Sequence, residues 1–255
     1  MRIYAHLNQS DIAELAPDTV AVLPLGSIEN HGLHLPLGTD TIIAEAILDR
    51  TDNHLGNAKT HSVRLPPLWL GSSVEHSERP GTLTTPATRF VAQILDIAES
   101  LSRNNIRRLI LLSAHGGNNS PARIAAIEAR ARHKMLCATP HWLDFGLPDD
   151  FEPPTPVGQD AHGGWMETSM MLAAAPDLVS KDRPAARKTG APAAMLYPDG
   201  PISWGWMTDD LGKDGVIGDA SHATPERGKA LLDHAAKSLA ALITQIATAD
   251  WPPAD

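Results

Sequence analysis

The run Val20–Leu25 (VAVLPL), followed at once by GSIENHGLHLPLGTD, constrains this chain more than any other stretch. Six consecutive apolar residues without alternation describe a strand covered on both faces, as in parallel sheets packed between helices. A second such strand, RRLILLS at 107–113, runs into the Gly-rich turn AHGGNNS. A helix is predicted over 120–134, with Pro121 at its first position and Asn119 or Ser120 as cap. Strand, turn and helix make a βα unit, whose loop opens on the same sheet edge as the loop after Val20–Leu25. The expected class is α/β.

The remaining pattern supplies helices over 7–16 (capped by Ser10 or Asp11), 40–52 (opened by Thr39 or Asp40), 86–104, 161–176 and 225–247. Extended segments are expected at 62–70, broken by Pro66 and Pro67, and at 135–139. The Pro/Asp-rich stretch 146–160 reads as a loop and 180–218 as irregular. No repeat or linker marks a boundary, so residues 1–255 are expected to form a single domain.

Composition narrows the function. Net charge is -9 without a basic block, which argues against nucleic acid and anionic membranes as partners. The single Cys137 excludes an internal disulfide and a cysteine zinc cage. The N-terminus lacks the apolar core of a signal peptide, and no apolar run approaches the roughly 20 residues of a membrane span, so a cytoplasmic location is expected. Twelve histidines suit metal or acid/base chemistry.

Three segments offer metal-type ligands beside turns: Glu29, His31 and Asp40 after the first strand; His115 in AHGGN; and His162 with Glu167 in AHGGWMET. Each has a plainer reading. Glu167 is a residue the helix macrodipole favours in a first turn, and His162 suits a hydrogen-bonded loop. His34 lies in the first loop as a ligand or a supporting group. An esterase oxyanion loop at His-Gly-Gly would need a Gly-x-Ser-x-Gly elbow, which is absent, as are His-Glu-x-x-His, Walker A and Gly-x-Gly-x-x-Gly.

The segments LPLGSIENHGLHLPLGTDT (23–41), GSSVEHSERPGTLT (71–84), SAHGGNN (113–119), DAHGGWMETSMML (160–172) and GVIGDASHATPERGKAL (215–231) together resemble the creatininase family of metal-dependent amidohydrolases. The resemblance implies a three-layer α/β/α domain with a mostly parallel central sheet. It also implies two divalent ions per subunit, Zn favoured over Mn or Fe, on Glu29, His31, Asp40 and His115, with Asp40 bridging. Creatininase itself has a glutamate two residues after the histidine matched by His115. Here that position is Gly117, so the last carboxylate is assigned to Glu167. His162 matches the family's proton shuttle to the leaving nitrogen. Ser73, Glu75, His76, Gly116, Gly117 and Trp165 are expected around the substrate, with Glu75 and His76 equally able to orient ligands from behind; Trp142, Trp204 and Trp206 are further wall candidates. The implied activity is hydrolysis of a C–N bond in a lactam, other cyclic amide or formamide. A peptide-trimming hydrolase of the mycofactocin-maturation type, or an inactive scaffold, is the alternative. A homo-oligomer, a hexamer as a trimer of dimers, is expected, with 180–218 as an interface.

Overall fold

The computed structural model describes residues 1–182, 196, 202, 204–212 and 214–251. Much of the segment expected to form an interface therefore lies outside the described residues. Five strands, β1 (Arg2–Ile3), β2 (Val20–Leu25), β3 (Ser62–Arg64), β4 (Arg108–Ser113) and β5 (Leu136–Ala138), pair in parallel in the order β1-β3-β2-β4-β5. β2 and β4 run together along their whole length, from Val20 opposite Arg108 to Leu25 opposite Ser113, and every residue of both is buried. That double-sided burial is why neither strand alternates in sequence.

Period-two geometry splits the apolar residues between two cores. Val20, Val22, Ile110 and Leu112 face α2 (Thr39–Thr51), α5 (Trp165–Ala174) and α7 (Pro225–Thr248). Ala21, Leu23, Leu25, Leu109 and Leu111 face Phe90, Ile94, Ala98 and Leu101 of α3 (Ala87–Arg103) and Ala122, Ala125 and Ala129 of α4 (Asn119–His133). The expected three-layer α/β/α arrangement is thus present.

The helix starts differ from expectation. Helix α1 (Gln9–Ala13) is capped by Asn8, whose side chain accepts from Ser10 and Asp11 N–H while Asp11 accepts from Asn8 N–H. Thr39 and Asp40 lie inside α2 behind Gly38, and α4 begins at Asn119, so Pro121 is its third residue. Helix α5 starts at Trp165, leaving His162 in the preceding turn, and α6 (Thr208–Leu211) is a single turn within 180–218. Among the described residues no helix is long and apolar enough to cross a membrane.

The strand order places the site. β3 lies on one side of β2 and β4 on the other, so loops leaving the carboxyl ends of β2 and β4 diverge around a crevice. At the opposite edge, buried Arg108 donates to the carbonyls of Pro17, Ile246 and Ala249 and ties the end of α7 to the sheet.

Candidate metal centre

Three loops converge on this crevice, and Asn118 knots them together. Its Nδ2 donates to the carbonyl of Gly26 after β2 (2.9 Å), and its Oδ1 accepts from Ser72 N–H in the loop beyond β3 (2.9 Å). Gly26 passes so close to α2 that a Cβ there would overlap Thr41. From the fourth segment, buried Asp160 accepts from the N–H groups of Trp165 and Met166, at 2.9 Å each, and of Asp219 at 3.4 Å. It thereby holds the start of α5, from which Glu167 projects.

Glu29, His31, Asp40 and His115 are buried side by side, and Glu167 joins them from α5. Their donor atoms fall into two sets, Glu29–Asp40–His115 and His31–Asp40–Glu167, each with one atom per residue within 4.8 Å of the others. Asp40 belongs to both. A third set of Glu29, His31 and His162 overlaps them. His31 Nδ1 lies 3.1 Å from the Glu29 carbonyl, an oxygen that can only accept, so that nitrogen carries a proton and Nε2 is the atom turned to Asp40 (3.1 Å) and Glu167 (3.7 Å). There Nε2 donates to Asp40 when the ring is charged, and would give its lone pair to a metal ion in place of that proton. By the same logic His115 donates from Nε2 to Ser72 O (3.1 Å) and turns Nδ1 to Glu29 (3.1 Å). Asp40 accepts from Ser27 Oγ at 2.7 Å.

The electrostatics describe a place for cations. Burial opposes charge on His31, yet Asp40, Glu167 and Glu29 override it and lift its pKa to about 10. Burial is likewise overridden at His115, raised well above the ordinary range by Glu29, Asp40 and Glu75. Burial would raise Glu29, but His115, His76 and His31 hold it well below the carboxylate range. Burial lifts Glu167 to about 8. Neither oxygen of Glu29 accepts a well-aligned hydrogen bond, although both are shut off from solvent. A buried ionised carboxylate with no well-aligned donor is costly, and a metal ion bound there would remove the cost. The His/carboxylate donor set fits Zn or Mn.

Outside the two sets that share Asp40, buried His162 donates from Nε2 to Asn30 O (2.7 Å), leaving Nδ1 as a lone pair 3.6 Å from Glu29. Burial, with the charges of His76 and His31, lowers its pKa well below the ordinary value, so it is neutral. His76 stacks on it at 4.1 Å and is pushed down to about 4 by burial. A cavity of about 680 Å³ opens over the cluster, lined by Glu75, His76, Gly116, Gly117, His162 and Glu167 among others.

Two expected substrate contacts are corrected. Trp165 is fully buried, stacks on Phe151 and donates to Thr155; its bulk serves the core. Ser73 is also fully buried and lies behind His115, its Oγ 3.2 Å from Nε2. Trp142 is in the core, whereas Trp204 and Trp206 line the cavity. His34 bonds Thr168 at 2.9 Å, beside Glu167. Asn118, Ser27 and Asp160 were not anticipated. Asn118 lies three residues after His115 in SAHGGNN, but nothing local shows that it bridges three loops.

Comparison with known proteins decides the family: the Creatininase sequence model, described as creatinine amidohydrolase, matches residues 5–243. The chain belongs to the creatininase family. It is 32% identical over 211 residues to a mycofactocin precursor peptide peptidase of Mycolicibacterium smegmatis, covering 82% of this chain and 78% of that one. It is 26% identical over 256 residues to the creatinine amidohydrolase of Pseudomonas putida, covering 93% and 92%. A crystal structure of creatinine amidohydrolase superposes with a TM-score of 0.79 at 25% identity, covering 99% of this chain and 98% of that one.

Proposed function

We propose that this creatininase-family hydrolase is a metal-dependent amidohydrolase with two divalent ions per chain, Zn in preference to Mn or Fe, that cleaves a C–N bond of a small cyclic amide, lactam or formamide. The observation that carries the reading is Asp40, shared by the sets Glu29–Asp40–His115 and His31–Asp40–Glu167. Solved creatininases that share this fold include a Zn-Zn form and a Mn form, which supports the choice of ions.

Bound ions would supply Lewis acidity towards water and towards the amide carbonyl. The chain's own residues do the rest. His162, neutral and with its Nε2 proton fixed on Asn30 O, presents Nδ1 to the cluster. It can take a proton from the attacking water and return it to the leaving nitrogen, which must be protonated before it departs. Gly116 and Gly117 line the wall, and backbone N–H groups there can help to hold the oxyanion that develops on the substrate carbonyl. His115 and His31 are held by carbonyls through their far nitrogens, which fixes the rings before anything binds.

Peptide trimming is the second reading, favoured by the 32% identity to a mycofactocin precursor peptide peptidase. A hexamer built of dimers belongs to the same proposal, and light scattering that returns a monomer would remove it. Metal analysis of the purified chain tests the whole reading. Two equivalents of Zn or Mn are expected, falling towards one in Glu167→Gln. A chain that holds no ion, and whose melting temperature does not rise on adding Zn or Mn, would refute it. Creatinine, lactams, hydantoins, formamides and short peptides then separate the substrates.

A further inference from the structure

The cavity wall has a second chemical face. Beyond the metal-type ligands it is lined along α4 by Asn119, Ser120 and Arg123. Asn119 and Arg123 are four residues apart, hence on one helix face and one turn, about 5.4 Å, from each other along the axis. Several other arginines are engaged, Arg64 with Glu45 and Asp49, Arg79 with Asp209 and Arg108 with three carbonyls, and among the described residues Arg123 is the one cationic Lys or Arg side chain that lines the cavity. Among the described residues Arg123 has no hydrogen-bond or ion-pair partner, and its side chain is exposed. The acids on the same wall are occupied, Asp144 by His141 N–H (2.8 Å) and Glu75 beside His115 Nε2 (3.4 Å). Asn119 adds a buried Oδ1 with no partner, an acceptor for a substrate N–H.

These groups are ordered along the wall. His115 stands at the metal end, Asn119 follows at the start of α4, and Arg123 lies one turn further. We propose that Arg123 determines specificity by pairing with an oxyanion, a carboxylate or phosphate ester, carried by the substrate a few bonds from the scissile C–N bond. The guanidinium fork matches either group through two parallel hydrogen bonds. With three carboxylates balanced by two divalent ions, the centre would not repel such a substrate. This inference rests on the hydrolase reading above and narrows its substrate class to anionic amides.

The test uses the full chain loaded with Zn or Mn and matched probes. N-formylglycine is paired with N-formylglycinamide, and N-formylethanolamine phosphate with N-formylethanolamine. The oxyanion member of a pair is expected to be preferred about tenfold in kcat/KM, mainly through KM. Arg123→Gln should compress that ratio to within about twofold, and Arg123→Lys should retain part of it. The two pairs tell carboxylate from phosphate. A wild-type chain indifferent to charge, or a preference that survives Arg123→Gln, would overturn the role of Arg123. Calorimetric titration of N-acetylglycine against N-acetylglycinamide reads the same preference without turnover. Preference there without hydrolysis of any probe would count against the hydrolase reading alone; no preference there would count against Arg123.

Discussion

Asp160 does its work through the backbone, and Asp160→Asn isolates that work. The side chain is buried and receives the first N–H groups of α5 together with Asp219 N–H. Burial is the larger influence and raises its pKa from 3.8 to about 6 against the pull of those donors. Below pH 3.8 the carboxyl is protonated in both states and adds no pH dependence. Between 3.8 and about 6 the unfolded chain has released the proton while the folded chain keeps it, so stability falls as pH rises. The full loss is about 3 kcal/mol, of which about 2 kcal/mol lies between pH 4.5 and 7.5. Asparagine does not titrate. It forfeits one backbone hydrogen bond, about 1–3 kcal/mol at every pH, because its NH2 meets an N–H. Relative to wild type, Asp160→Asn should therefore gain about 4–8 °C in melting temperature on going from pH 4.5 to 7.5. Thermal unfolding of both proteins after chelation, across that range, measures the gap with the other titrating groups common to both. A gap that does not move with pH would refute the reasoning. Loosening α5 also reaches the site: Asp160→Ala should weaken metal binding through displacement of Glu167, and unchanged affinity would show that α5 is held by other contacts.

Further outcomes follow from the same geometry. Glu75→Gln should lower metal affinity about 10- to 100-fold by weakening the support behind His115, read by competition with a chelating dye. Gly117→Ala should lose metal and stability together, since its Cβ would overlap the Ser72 carbonyl, Glu75 and His115; a stable, fully loaded variant would contradict the packing. Phe90→Ala, deep between β4 and α3, should cost about 3–5 kcal/mol in denaturant unfolding. Metal affinity should fall steeply as pH drops, because protons compete for His31 and His115, both raised well above the ordinary histidine value; a flat dependence would exclude them as ligands.

Much of this architecture is written locally. Val20–Leu25 and Arg108–Ser113 are unbroken apolar runs because both faces of each strand are covered, and that property survives in sequence as composition. Glu29, His31, Asp40, His115 and Glu167 stand beside turns at strand and helix ends, so their chemistry and their loops were readable before any fold was known. What only the tertiary structure decided was who stands behind whom. Trp165 and Ser73 sit in motifs that suggest contact with substrate, yet one faces the core and the other the back of His115. A side chain's direction depends on the packing of elements distant in sequence, which no local pattern encodes. Asn118 joins Gly26 and Ser72 across 92 and 46 residues, and Arg123 reaches the cavity only because α4 runs along its wall. The ligand types were legible near each turn; the division of those ligands into two sets that share Asp40 exists only once three separate segments have been brought to one crevice of the sheet.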